Sequence, residues 1–89
     1  MEDTTIQSYQ LTEHASIVIM ERGIHPNWIE KAIQQPDWTE PDLFDNSLTC
    51  AFVAIPEFGG RMLRIVFDDS VEPKRVITVY FDRNARRRK

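Results

Sequence analysis

An arginine and a tyrosine on neighbouring predicted strands are the residues of this chain best placed to do chemistry together. The segments from Arg61 to Asp68 and from Arg75 to Asp82 are predicted strands, in which successive side chains point to opposite faces of the sheet. One face of each carries a set of large apolar side chains: Leu63, Ile65 and Phe67 in the first, and Ile77, Val79 and Phe81 in the second. Matching these two faces sets the register. It pairs Arg64 with Tyr80 on the opposite, less buried face.

These residue types, together with a histidine, suit the cleavage of RNA without a metal ion. Such cleavage needs a base for the 2′-hydroxyl, stabilisation of charge on the phosphate, and an acid for the leaving 5′-oxygen. Arginine offers a planar, permanently charged fork to phosphate, histidine exchanges protons near neutral pH, and tyrosine can orient a phosphate or stack on a base. A salt bridge between Arg64 and Asp82, and simple sheet packing of Tyr80, explain the pair equally well.

The element that precedes these strands is a predicted helix from Glu13 to Arg22. Thr12 can cap it, because its hydroxyl accepts a hydrogen bond from a free N–H of the first turn. Gly23 suits the left-handed residue that ends a helix, and Ile24 can fold back over the last turn. The β-branched run Ile17–Ile19 favours a strand instead. The caps at both ends decide for the helix.

A second helix is predicted to open at Pro26, where the fixed φ of proline suits a first helical position, and to stop at Pro36. The apolar period then changes from helical spacing to two. The predicted strands are Trp38 to Asp42 at an edge, Leu48 to Ile55, Arg61 to Asp68, and Arg75 to Asp82. This order predicts an α+β fold, a helical hairpin packed on a three- to four-stranded antiparallel sheet.

Charge divides the 89 residues into a single predicted domain, residues 1–82, and a basic C-terminal tail, residues 83–89. The net charge of −3 hides −8 in the domain and +5 in the tail. The tail can bind nucleic acid through its phosphates, or it can serve as a solubilising end or fold back on the acidic domain. The candidate nucleic-acid-binding residues are Arg83, Arg86, Arg87, Arg88 and Lys89.

Composition narrows the remaining classes of protein. No apolar run approaches the ~20 residues that cross a bilayer, and the acidic, polar start Met1–Ser8 is a predicted frayed end, not a secretory signal. Cys50 is the single cysteine, so it forms no disulfide within the chain and is expected to pack in the core. Histidines and acids lack ligand spacing, so no metal and no cofactor are predicted. A cytoplasmic protein without membrane contact is expected.

Several motifs resemble one family. These motifs are T-x-H-A at residues 12–15, E-R-G-I at 21–24, P-D-W at 36–38, PEFGGRMLRIVFD at 56–68 and VITVYFDR at 76–83. Together they resemble the domain-of-unknown-function family 4258. That family is usually placed near the RelE/ParE-like and BrnT toxins. The resemblance implies a RelE/ParE-like architecture and a toxin-like endoribonuclease, with RNA as substrate and an antitoxin-like protein as partner.

By the same resemblance, Arg64 and Arg22 hold phosphate, His14 transfers protons and Tyr80 orients the substrate, with Arg83 beside them. Each has a plainer explanation: His14 can bond a backbone carbonyl or an acid, and Arg22 can serve the helix dipole or pair with Glu21 or Asp82. These five residues, His14, Arg22, Arg64, Tyr80 and Arg83, are the candidate site.

One departure from the family pattern points to other functions. The family commonly carries an arginine one helical turn after the histidine, where this chain has Val18. Val18 lies in the run Ile17–Met20, whose four apolar side chains cannot all face one core, so some of them are expected to meet another surface, such as a second copy in a homodimer. The alternative functions are a non-catalytic protein-interaction module and a nucleic-acid-binding regulator without catalysis.

Overall fold

The computed structural model describes residues 9–85, in which two helices form one layer and five strands form the other. The α+β class is therefore confirmed. The predicted frayed end at residues 1–8 and tail residues 86–89 lie outside the described residues. The elements are β1 (Tyr9–Leu11), α1 (Glu13–Arg22), α2 (Pro26–Gln34), β2 (Trp38–Pro41), β3 (Thr49–Ile55), β4 (Arg61–Asp68) and β5 (Lys74–Phe81), with a 3₁₀ turn at Pro56–Phe58 between β3 and β4.

The five strands are ordered β1-β5-β4-β3-β2, and the sheet is mixed. Strands β2 to β5 pair antiparallel in sequence order, but β1 lies parallel to β5, with Tyr9 opposite Lys74 and Leu11 opposite Val76. The four predicted strands therefore form and pair antiparallel, but the prediction missed β1, which adds a fifth strand and makes the sheet mixed. Three residues are too few to display an alternating pattern, which is why β1 left no recognisable signal in the sequence.

The caps of α1 form as predicted, and they decide the helix over the competing strand. The backbone N–H of Ala15 donates to the Thr12 hydroxyl oxygen at 3.1 Å. Gly23 adopts a left-handed conformation with φ of 64°, and the N–H of Ile24 donates to the carbonyl of Ile19 at 3.0 Å. Ile24 is buried, which closes the last turn against the core.

The main core lies between the helices and one face of the sheet. Ile29 and Ala32 of α2 are buried there. The strands contribute Ala51, Val53, Ile55, Leu63, Ile65, Phe67, Val76 and Val79. A smaller cluster of Cys50, Phe52 and Val66 covers the other face, where Trp38 stacks on Phe52 with ring centroids 4.5 Å apart. No helix of the described chain packs on this second face, so its polar residues are available for a site.

A β-bulge places Ile77 on the opposite face of β5 from the one predicted. Val66 pairs with Thr78 but Phe67 pairs with Val76, so Ile77 has no cross-strand partner. Ile77 was predicted to face the main core, but it packs against the Cys50 cluster on the opposite face, and Val76 is buried in its place. Beyond the bulge the predicted register is confirmed.

Candidate functional site

Arg64 lies at the centre of the second face of the sheet, between two aromatic rings. It pairs with Phe52 on β3 and with Tyr80 on β5, so the predicted Arg64–Tyr80 pair is confirmed. Its guanidinium carbon lies 5.4 Å from the ring centroid of Phe52 and 5.6 Å from that of Tyr80, which are favourable cation–π distances. Only 17% of the side chain is exposed, so the arginine is part of the packed sheet surface.

Two carboxylates neutralise the Arg64 guanidinium. Its Nη1 donates to Asp82 Oδ2 at 3.1 Å, and its Nη2 lies 3.8 Å from Asp42 Oδ1. Nη2 also donates to the sulfur of Cys50 at 3.4 Å, and the Cys50 thiol donates to Asp42 Oδ1 at 3.4 Å. The buried Nε has no hydrogen-bond partner among the described residues. We call Arg64, Asp42, Cys50, Tyr80 and Asp82 the Arg64 cluster. The alternative expectation of an Arg64–Asp82 salt bridge is confirmed.

The surroundings of the Arg64 cluster favour the protonated forms of the Cys50 thiol and the Tyr80 phenol. Burial raises the pKa of the Cys50 thiol, and the hydrogen bond and charge of Arg64 oppose this only in part. Burial likewise raises the pKa of the Tyr80 phenol, against the opposing charge of Arg64. Tyr80 is therefore a protonated hydrogen-bond donor at neutral pH, and Cys50 is a buried thiol that packs as predicted.

The pKa of Asp42, by contrast, is lowered. Its burial alone raises the pKa, but hydrogen bonds from the backbone N–H groups of Phe44 and Asp45 and from Cys50, with the charge of Arg64, hold the pKa below its ordinary value. A carboxyl whose pKa is lower in the folded than in the unfolded chain stabilises the fold above its unfolded pKa of about 4. This contribution is lost as the pH falls through the folded pKa.

We therefore expect the free energy of unfolding to decrease below about pH 4, and to decrease less steeply in Asp42→Asn, which keeps the shape but cannot ionise. Urea unfolding followed by tryptophan fluorescence at a series of pH values measures this. Asp69→Asn is the matched control, because Asp69 is exposed and should leave the wild-type profile unchanged. Parallel profiles for wild type and Asp42→Asn would contradict the stabilising role of this carboxylate.

A cleft of about 560 Å³ opens beside the Arg64 cluster, where the end of α1 meets the ends of two strands. Gly59 and Gly60, with φ of 70° and 73°, make the turn that brings Arg61 to this place. Arg22 comes from the last turn of α1, and Arg83 follows β5. We call it the arginine cleft, and its lining residues are Arg22, Gly60, Arg61, Met62, Phe81, Asp82, Arg83 and Ala85.

The arginine cleft concentrates positive charge on an acidic protein. Arg22, Arg61 and Arg83 are exposed, and none of them forms an ion pair with another described residue. The suggested pairing of Arg22 with Glu21 or Asp82 is therefore not formed. The one carboxylate in the lining, Asp82, already accepts from Arg64 through Oδ2 and from the N–H of Asn84 through Oδ1. Within the described part of the chain, three guanidinium groups without a carboxylate partner thus meet in one concave site, and such an arrangement favours an anionic ligand such as phosphate.

His14 lies apart from the arginine cleft, at the other end of α1. Its Nε2 is 3.4 Å from the hydroxyl oxygen of Thr78, so its contact is a side chain and not the backbone carbonyl or acid considered above. Thr78 precedes Tyr80 by two residues on the same face of β5, a separation of about 7 Å along a strand. Helix α1 thus places His14 beside Thr78 and Arg22 at the cleft where β5 ends.

The site contains residues that the sequence did not single out. The sequence gives one indication of Arg61, which directly follows the Gly59-Gly60 turn. Its convergence with Arg22 and Arg83, however, depends on how α1 packs. Asp42 has none, because it reaches Arg64 from the loop between β2 and β3. The nominated tail residues Arg86, Arg87, Arg88 and Lys89 lie outside the described part of the chain.

Within residues 9–85, no group of three or more histidine, cysteine or acidic side chains is arranged to hold a metal ion. The described helices are too short and too polar to span a membrane.

Comparison with known proteins gives one match. Residues 11–81 match the family described as "Domain of unknown function (DUF4258)". The matched segment includes α1, the Arg64 cluster except Asp82, and both Arg22 and Arg61 of the arginine cleft. No curated protein and no solved structure matches the chain.

Proposed function

We propose that this chain, which belongs to the DUF4258 family, binds RNA in the arginine cleft and cleaves it as the toxin of a toxin–antitoxin pair. The single observation that carries the proposal is the convergence of three arginines, none of them paired with a carboxylate of residues 9–85, in a cleft that shares Asp82 with the Arg64 cluster. The reaction class comes from the resemblance to RelE/ParE-like toxins, which also implies an antitoxin-like protein as partner.

The geometry supports roles for the arginines that differ from those expected from the sequence. Arg64 was expected to hold phosphate, but its Nη atoms already bond Asp82 and contact Asp42. We assign it instead a positioning role: it holds Tyr80 and Asp82 in place. Phosphate binding passes to the three exposed arginines, Arg22, Arg61 and Arg83.

In the proposed reaction, the phosphate that is cleaved lies along β5 between His14, which contacts Thr78, and Tyr80, while the arginine cleft holds the next phosphate of the strand. His14 accepts the proton of the ribose 2′-hydroxyl, and the 2′-oxygen then attacks the adjacent phosphorus. The bond from phosphorus to the 5′-oxygen breaks, and the phenol of Tyr80 donates its proton to that leaving oxygen. The products are a 2′,3′-cyclic phosphate and a free 5′-hydroxyl. The phenol of Tyr80 is protonated at neutral pH, which is the form that a general acid needs.

RNA binding is tested by fluorescence anisotropy with a labelled single-stranded oligonucleotide at several salt concentrations. The plot of log K against log salt should have a slope of about −2, because the cleft brings three positive charges to the RNA and each phosphate charge that is neutralised on a single strand contributes about −0.7. The double variant Arg22→Gln/Arg83→Gln should reduce that slope by about 1.4.

The matched control is Lys74→Gln/Arg75→Gln, which removes two positive charges from the opposite end of β5. We expect it to keep the wild-type slope. If the two double variants weaken binding equally, RNA is attracted by overall charge, and the arginine cleft is not the binding site.

A non-catalytic protein-interaction module is the second candidate, favoured by apolar side chains at the surface. Met20 is 80% exposed and Phe44 is 96% exposed. Ile17 is also exposed, in agreement with the expectation that the run Ile17–Met20 cannot face one core. Harmless expression at high yield, together with a stable homodimer that Met20→Lys dissociates, would favour this function over the toxin.

A further inference from the structure

An aromatic cluster borders the arginine cleft. Phe58, in the turn between β3 and β4, lies 4.9 Å from Phe81 and 5.9 Å from Trp28 between ring centroids. The guanidinium carbon of Arg61 lies 4.8 Å from the Phe58 centroid. Trp28 is fixed in turn, since its indole N–H donates to Glu57 at 3.3 Å. The cluster is therefore a supported platform and not a set of loose side chains.

Two members of this platform, Arg61 and Phe81, also line the arginine cleft. A guanidinium group has two flat faces, and Phe58 can occupy only one of them. The cleft wall thus combines a flat cation with an aromatic ring and the side chain of Met62. Nucleic-acid bases stack on walls of this kind, on aromatic rings and on arginine planes alike.

Asp82 adds a hydrogen-bond acceptor to the same cleft. Its carboxylate receives hydrogen bonds from Arg64 and from Asn84, which leaves acceptor capacity on a group with about four lone-pair positions. A ligand that suits the whole lining has an anionic group for the arginines, a flat ring for the wall, and an N–H or O–H donor for Asp82. An isolated phosphate has only the first of these.

We infer that the arginine cleft binds one unpaired nucleotide of single-stranded RNA, with its phosphate on Arg22 and Arg83 and its base against Arg61 and Phe81. This inference rests on the proposed function and names the substrate form. A volume of about 560 Å³ lies within the usual range of small-ligand sites, about 300–1,000 Å³. A base in a duplex cannot enter, because both its faces and its pairing edge are already occupied.

The test compares a labelled single-stranded RNA of ten nucleotides with the same RNA annealed to its complement, by anisotropy at one salt concentration. The wild type should bind the single strand at least about tenfold more tightly, since stacking of one base contributes that much or more. Arg61→Lys keeps the charge but removes the planar fork, and Phe58→Leu removes its support. Both should reduce single-strand affinity about tenfold and leave duplex affinity within about twofold.

The control is Arg75→Lys, the same change outside the cleft, which should bind as the wild type does. Equal affinity for single strand and duplex, or wild-type affinity in Arg61→Lys and Phe58→Leu, would overturn the inference. If Arg22→Gln/Arg83→Gln still loses binding in that case, the proposed function stands without it. Failure of the wild type to bind either RNA would overturn the proposed function itself.

Discussion

Arg64→Ala should destabilise the folded protein by about 3 kcal/mol, because removing one partner of a largely buried charge cluster leaves the others unpaired. Asp42 and Asp82 would then face each other across the sheet without a cation, at side-chain exposures of only 12% and 16%. The variant also loses the stacking of the guanidinium on Phe52 and Tyr80. Urea unfolding measured by tryptophan fluorescence gives the free energy directly. The thermal midpoint should fall by about 15 °C.

The matched control is Arg75→Ala, which truncates an exposed arginine on the neighbouring strand. It should change the free energy of unfolding by less than about 0.5 kcal/mol. A loss below about 1 kcal/mol in Arg64→Ala would show that the cluster behaves in solution as an ordinary surface salt bridge.

A triple variant separates charge from packing. Arg64→Met/Asp42→Asn/Asp82→Asn removes the cation and both carboxylates while keeping similar side-chain volumes. Asparagine oxygens can still accept from the backbone N–H groups of Phe44 and Asn84, as the carboxylates now do. We expect this variant to recover most of the stability lost in Arg64→Ala, since unpaired buried charge causes most of that loss.

Because Arg64 is expected to stabilise the fold, the activity of an Arg64 variant depends on its stability as well as on any role in function. Loss of toxicity in Arg64→Ala could arise from a weakened fold and would not identify a phosphate ligand. Arg22 and Arg83 are exposed and unpaired among the described residues, so their substitution leaves the fold intact and reports on binding alone. Variants of these two arginines are the sharper probes of function.

The pairing of Arg64 with Tyr80 could be predicted because two alternating strands joined by a short loop have few registers that bury both apolar faces. The bulge at Ile77 could not be predicted, because one inserted residue moves a side chain to the other face of the sheet and leaves no mark in the residue types. Helix α1 was predictable from local caps. The edge strand β1 was not, because its stability comes from pairing with distant β5.

The site shows the same division between local and tertiary information. Arg22 and Arg83 could each be nominated by type and position, but they lie 61 positions apart in the chain. Their meeting at one cleft depends on α1 packing along β5, which no local pattern encodes. Asp42 was missed because loop residues between β2 and β3 reach Arg64 only after the sheet has formed.

Tyr80→Phe should reduce RNA cleavage by about 10²–10⁴-fold, the usual contribution of a general acid, if the phenol protonates the leaving 5′-oxygen. The ring remains, so its packing beside Arg64 is kept and the fold should be unaffected. RNA affinity should stay within about twofold, since the three cleft arginines are unchanged. Single-turnover cleavage of an end-labelled RNA measures the rate, and the size of the products identifies the cut.

Tyr9→Phe is the matched control, because it removes the same hydroxyl from β1 and should cleave as the wild type does. In a growth assay, wild type and Tyr9→Phe should arrest the cells and Tyr80→Phe should not. Cleavage by Tyr80→Phe at the wild-type rate would remove Tyr80 from the chemistry but leave the arginine cleft as the binding site. No cleavage by the wild type, with RNA still bound in the cleft, would instead favour a nucleic-acid-binding regulator, because phosphate binding by arginines does not require that a bond is broken.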